Sequence, residues 1–269
     1  MKAIIIGGGS IGQRHSLNLN NLGVSTRIVD IDEINNIDNI LKDGFDMGFV
    51  CTPNINHIEQ CIKLAHHNVP IFCEKPFYTN TEGIDSLLEL IDSKNLITMV
   101  VCNLRFTPEI KWINPTSKYI NVYFGYDLKK WRPGTNHLKS YSANKHLGGG
   151  ILLDAIHELD YLYFKFGNIK NISYIKNKLT NITNDVEDIV TGRIEFNDTI
   201  ADFTLNYLSE EYQRYYDVLD NGVLKRTNLQ LDNQMYIEEI KYFINHVKNN
   251  TPCMNNFEEA HILLNHILQ

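Results

Sequence analysis

Lys2-Ala3-Ile4-Ile5-Ile6-Gly7-Gly8-Gly9-Ser10-Ile11-Gly12 opens the chain, and its reading decides the fold. The apolar run after Lys2 reads as a buried strand. Gly7, Gly9 and Gly12 follow as G-x-G-x-x-G, and residues 13–22 continue as a helix. The pattern asks for one glycine at a tight turn, one where backbone approaches a pyrophosphate, and one for close helix–strand packing. The helix start offers N–H groups and partial positive charge to phosphates, so Gly7, Gly9, Ser10, Ile11 and Gly12 form the candidate phosphate cradle. A second strand over 26–29 ends at Asp30, 18 positions after Gly12. A carboxylate there accepts hydrogen bonds from an adenosine ribose. Ile31 and Asp32 follow, so an additional ribose phosphate would meet two carboxylates; NAD is expected over NADP, although Arg27 stands just before. The alternative is a glycine-rich turn without a ligand.

Outward from this turn, strands and helices alternate. Residues 47–51, 70–73 and 96–102 read as strands; 55–68 and 81–94 read as helices, the second opened by Thr81 as a cap. Such alternation gives βαβ units and a doubly wound parallel sheet. The second half differs. Residues 186–196 and 199–208 alternate apolar and polar positions around Asn197-Asp198, a hairpin pattern, and 119–124 is a further strand. Helical patterns at 235–248 and Phe257–Leu268 close the chain. No low-complexity linker separates the halves, so two docked domains with a cleft are expected.

Composition narrows the function classes. The chain has 269 residues and a formal net charge of −7, which argues against a nucleic-acid partner, for which a basic stripe is usual. No apolar run reaches the roughly 18 residues that cross a bilayer, and the apolar start is too short for a signal peptide. No membrane partner is expected. The five cysteines, Cys51, Cys61, Cys73, Cys102 and Cys253, form no CxxC pair; free buried thiols in a reducing cytoplasm are expected. No spacing demands a metal.

Three further passages make the reading specific. Thr52-Pro53-Asn54 is followed by His57. Glu74-Lys75-Pro76 follows the strand 70–73. Gly148-Gly149-Gly150 precedes Leu152-Leu153-Asp154, His157 and Asp160. In this order, with the glycine turn, the chain resembles the glucose–fructose oxidoreductase / inositol dehydrogenase / MocA family. The Leu-Leu-Asp-x-x-His passage resembles a branch linked to surface-polysaccharide or acidic-sugar biosynthesis. The resemblance implies an NAD-binding Rossmann domain over 1–103. Over 104–269 it implies a substrate and oligomerisation domain with an open, mostly antiparallel sheet, the terminal helix being a candidate to pack back on the first domain. It implies Thr52, Pro53, Asn54, Glu74 and Lys75 beside the cofactor, with a cis Lys–Pro bond and the lysine directed at the nicotinamide. His57 either joins them or packs its own helix. Asn103, Arg105, Trp131 and Arg132 are expected on the substrate side; Asn103 and Arg105 could instead anchor the junction, and Arg132 could be a surface ion pair.

The stretch 148–163 reads as one helix, on which steps of three set Asp154, His157 and Asp160 about 60° apart on one side. An imidazole between carboxylates is a proton acceptor with a fixed tautomer; a buried structural histidine–aspartate bond is the plainer reading. The family spacing from aspartate to histidine is often four, and here it is three. The expected activity is NAD-dependent hydride transfer to or from a secondary alcohol or ketone of a sugar, sugar nucleotide or polyol, with Lys75, His157 and Asp154 catalytic. The alternatives are a redox-neutral, NAD-using glycoside-cleaving enzyme and a non-catalytic NAD-binding regulatory subunit. The open sheet implies a homodimer or homotetramer.

Overall fold

The computed structural model describes residues 1–30, 32–131, 134 and 136–268. They divide into two compact units. The first is Met1–Asn103 with Asn233–Asn265; the second is Leu104–Asp232 with the last four residues.

The first unit runs β1 (Lys2–Ile6), α1 (Ser10–Asn21), β2 (Ser25–Val29), α2 (Ile37–Leu41), β3 (Met47–Val50), α3 (His57–His66), β4 (Ile71–Cys73), α4 (Ile84–Lys94) and β5 (Thr98–Val100). The strands form one parallel sheet in the order β2-β1-β3-β4-β5. Ala3–Ile6, Phe49, Val50 and Ile71–Cys73 are buried, because a parallel sheet covered on both faces needs unbroken apolar strands. The strand order reverses at β1, with β2 on one side and β3 on the other. Such a switch leaves a crevice at the carboxyl ends of the strands.

In the second unit α5 (Pro108–Lys111), β6 (Tyr119–Gly125) and α6 (Leu128–Trp131) come first. Three short 3₁₀ turns over 137–147 lead to α7 (Ile151–Asp154) and α8 (His157–Phe166). Strands β7 (Asn171–Asn177), β8 (Ile189–Glu195), β9 (Ile200–Asn206), β10 (Gln213–Asp220) and β11 (Val223–Asn228) follow. The sheet order is β11-β10-β6-β9-β8-β7, antiparallel except for the β6–β9 pair. Ile120, Val122, Phe124, Val190, Ile194, Phe203 and Leu205 form the buried face. The opposite face mixes polar and aromatic side chains with exposed Ile175, Ile200, Leu219 and Leu224. Arg193 pairs with Asp202 and Arg226 with Asp217, both at 2.7 Å, and the rings of Tyr123 and Tyr215 stack at 5.1 Å.

The chain then returns to the first unit as α9 (Gln234–Asn249), joined by most of α10 (Phe257–Leu268). Glu239 of α9 accepts the Cys102 amide at 2.6 Å, and Phe243 packs on Phe72 at 5.3 Å. Asn255 bonds β5 through the Val100 amide and carbonyl, closing what would be an open edge. All five cysteines are free and buried. Among the described residues no helix is long and apolar enough to cross a membrane.

Two local expectations are corrected, and three strands are added. Thr81 does not cap α4, which starts at Ile84 behind Gly83, a residue at φ +79°. The helix expected over 148–163 is two helices, α7 and α8, broken where Ala155 takes φ −100°, ψ 30°. Strands β7, β10 and β11 had no clear apolar alternation: β7 and β11 are mostly exposed, and β10 buries Arg214, Tyr216 and Asp217.

Candidate functional site

The glycine turn is built by two contacts and one vacancy. Gly7 sits at φ +104°, where a Cβ would lie 2.7 Å from the Cys51 carbonyl; at Gly12 a Cβ would collide with the Gly7 carbonyl. Those two glycines let β1, β3 and α1 approach. Gly9 is different. It is exposed at φ −70°, ψ −173°, and a Cβ there would meet nothing within 4 Å. Nothing in the chain requires glycine at this position, whereas a ligand lying against the backbone would. Gly9 is the N-cap of α1, no side chain caps the helix, and the first turn holds no acid. The first helical N–H groups, Ser10, Ile11 and Gly12, have no intrahelical acceptor. Dinucleotide phosphates therefore fit this turn. The Asp30 carboxylate closes over it: a Cβ on Gly8 would lie 2.6 Å from Oδ2. Arg27, the cation that could have drawn an extra phosphate, pairs with Asp43 at 3.1 Å and Glu33 at 3.4 Å.

The ends of β3 and β4 come next. Thr52 Oγ1 donates to Gln60 at 2.6 Å, and Pro53 leads into a 3₁₀ turn that buries Asn54. His57 is fully buried between the carbonyls of Pro76, 2.9 Å from Nδ1, and Thr52, 3.0 Å from Nε2. Burial pushes its pKa below the ordinary value against the pull of those carbonyls. Of the two readings the sequence left open for His57, this is the packing one: the buried ring staples the two loops together. Glu74 accepts from His15 Nε2 of α1 at 2.8 Å, and its amide bonds Val50. The Lys75–Pro76 peptide is cis. Lys75 is the half-buried member of a run in which Glu74, Pro76, Phe77 and Tyr78 are buried.

In the second unit, Asp154 ends α7. Its Oδ1 accepts the Tyr141 hydroxyl at 2.8 Å and its Oδ2 that of Tyr207 at 2.7 Å. Burial, then the Asp154 charge, holds the Tyr207 phenol well above its ordinary range, so it stays a donor. His157 begins α8 and is buried. Asp160 is gripped by Arg105 through Nε at 3.0 Å and Nη2 at 2.7 Å, and the guanidinium lies over Phe164. Glu158 is buried against Arg214 at 2.7 Å. Half-buried Trp131 meets Tyr207 edge to face at 5.9 Å.

Two expectations change here. Asp154, His157 and Asp160 do not share one helix: Asp154 is held by two tyrosines, and Asp160 by Arg105. Arg105, expected on the substrate, is spent inside the unit, and Asn103 is also buried. Arg132 lies outside the described residues. Tyr207 and the tyrosine cradle of Asp154 were missed, because Tyr207 reads as one more large residue on the buried face of β9. Its hydroxyl partner lies 53 residues away.

Residues 24–102 match the model of the Gfo/Idh/MocA oxidoreductase family, NAD-binding Rossmann fold. The chain is 26% identical over 134 residues to the 2,7-anhydro-N-acetylneuraminate hydratase of Mediterraneibacter gnavus, covering 48% of this chain and 35% of that protein. It is 28% identical over 136 residues to the levoglucosan dehydrogenase of Pseudarthrobacter phenanthrenivorans, covering 47% and 34%. The match thus spans about a third of each curated relative. The crystal structure of GenD2 from gentamicin A biosynthesis, in complex with NAD, superposes with a TM-score of 0.83 at 17% identity, covering 99% of this chain and 92% of that one. Residues 24–102 thus resemble the NAD-binding Rossmann part of the Gfo/Idh/MocA oxidoreductase family, and the likeness that runs through both units is one of fold.

Proposed function

We propose that the chain is an NAD-dependent oxidoreductase that transfers a hydride between nicotinamide and a CH–OH carbon of a sugar, sugar nucleotide or related polyol. The observation that carries the reading is Lys75. It is half-buried within an otherwise buried run, at the carboxyl end of β4, in the same unit as the glycine turn. NAD, when bound, supplies the hydride chemistry. The α1 amides hold the pyrophosphate and Asp30 the adenosine ribose. The Lys75 ammonium donates to the reacting oxygen and stabilises negative charge there. His157 takes the hydroxyl proton in the oxidative direction. Asp154, fixed by Tyr141 and Tyr207, accepts from a neighbouring substrate hydroxyl. We assign self-association to the outer face of the six-stranded sheet.

The test begins with a panel of sugars, inositols and sugar nucleotides scored for NAD reduction. On a proven substrate, Lys75→Met and His157→Asn should each lower turnover by about 100-fold or more, the scale of one acid–base group, with NAD binding kept. Full turnover in both variants sinks the reading. The similarity to a hydratase favours one second reading, a redox-neutral cycle on the same residues. Substrate consumption without net NADH would select it.

A further inference from the structure

A dinucleotide across this sheet has a direction. Asp30 ends β2 on one side of β1; β3 and β4 lie on the other. Ligands of such sheets lie over the carboxyl ends of the strands, and neighbouring strands stand about 4.8 Å apart. With adenosine at β2 and pyrophosphate after β1, the nicotinamide riboside end reaches β3 and β4, where Glu74 stands. This placement rests on the NAD reading above.

His15 meets Glu74 from beneath. It follows Gly12 by one turn on the face of α1 that packs against the sheet, and it is 0% exposed. Its Nε2 lies 2.8 Å from Glu74 Oε1. The ring packs against Phe72 at 5.4 Å and Phe49 at 5.6 Å, with Tyr236 at 6.2 Å. Its Nδ1 meets no hydrogen-bond partner among the described residues. A neutral ring with the hydrogen on Nε2 therefore leaves no buried N–H without an acceptor; the tautomer is assigned from this network. One buried bond thus ties the phosphate-binding helix to the residue before Lys75. The Glu74 side chain keeps 11% exposure, so the carboxylate is not sealed off by the histidine.

We propose that His15 is a positioning residue for the cofactor. It holds one oxygen of Glu74 so that the other accepts from the hydroxyls of the nicotinamide ribose, and thereby couples seating of the pyrophosphate on α1 to seating of the nicotinamide beside Lys75. Arg14, 4.8 Å over the Tyr236 ring, Tyr236 itself, His57, Cys51 and Cys73 are polar groups that also lie near this pair.

The test is calorimetric titration of the full chain with NAD and, separately, with ADP, which carries the adenosine and diphosphate without the nicotinamide riboside. His15→Leu should weaken NAD at least about tenfold and ADP less than about twofold, the loss expected for one hydrogen bond to a charged group. His15→Gln, whose amide can donate to Glu74, should restore NAD to within about threefold. Equal losses for NAD and ADP would mean that His15 merely supports α1, and unchanged NAD affinity would mean that the bond has no role; either overturns the proposal. If His15→Leu shows no cooperative melt, Glu74→Ala must give the same NAD-selective loss, and its failure to do so is equally decisive. Wild-type protein that binds neither nucleotide overturns the NAD reading itself, a result distinct from failure of His15 alone.

Discussion

At Gly9 the backbone runs at φ −70° and ψ −173°, angles open to any residue, and the space around its missing side chain is empty. Gly7 and Gly12 are glycines because the chain crowds them. Gly9 is explained by what comes to the chain from outside. Gly9→Ala should therefore leave thermal stability unchanged within about 1 °C, since it touches no packing or strained backbone. The same change should weaken NAD by about tenfold or more, because a methyl group displaces the phosphates from the α1 amides. Calorimetry of melting and of binding on one preparation checks both halves; retained NAD affinity would remove Gly9 from the cradle. The motif and the division of its glycines between turn, ligand and packing were legible in the one-dimensional pattern; the contacts that enforce it, the Cys51 carbonyl at Gly7 and the Gly7 carbonyl at Gly12, were not.

The elements of the second unit that carry Asp154, His157 and Asp160 are held by buried charge. Arg105, on the turn entering the second unit, is fully buried at its side chain and grips Asp160 of α8 with two nitrogens. The desolvation cost of such a pair offsets much of its attraction, yet removing one partner leaves the other stranded. Arg105→Met should lower the unfolding free energy by about 3–5 kcal/mol, measured by urea titration. A loss below about 1 kcal/mol, the range of exposed pairs, would mean that the carboxylate reaches water in solution. The same reasoning explains why the sequence left Arg105 open between substrate and domain junction. An arginine beside a domain boundary suits an anionic substrate equally well, and its actual partner stands 55 positions downstream. The break between α7 and α8 was illegible for a related reason. Leu152-Leu153-Asp154-Ala155-Ile156-His157 has no proline or glycine to end a helix. The interruption accompanies the docking of Asp154 onto Tyr141 and Tyr207, which come from elsewhere in the chain.

For the molecule as a whole, the outer face of the six-stranded sheet is the face proposed for self-association. It carries the Tyr123–Tyr215 stack with Arg226 over Tyr215 at 3.7 Å. Aromatic and arginine side chains of this kind are enriched at interfaces between proteins. Charge pairs and exposed Ile175, Ile200, Leu219 and Leu224 surround this aromatic centre, a mixture that suits an interface that also tolerates water. Sedimentation velocity should find a dimer or tetramer, and Tyr215→Lys, which sets a second cation beside Arg226, should shift it toward monomer by at least about tenfold in the dissociation constant. A wild-type monomer at micromolar concentration would discard the assignment.

The sequence by itself determined the parallel sheet of the first unit, the glycine turn and the pairing of β8 with β9. All of these are short-range patterns, in which period, turn residues and immediate neighbours decide the outcome. Tertiary structure alone decided that α9 joins the first unit, that Arg105 grips Asp160, that Asp154 rests on two tyrosines, and that His15 reaches Glu74. Each of these is a contact between residues far apart along the chain. A polar side chain looks the same in sequence whether it meets ligand, water or a buried partner; burial and the geometry of that partner make the choice.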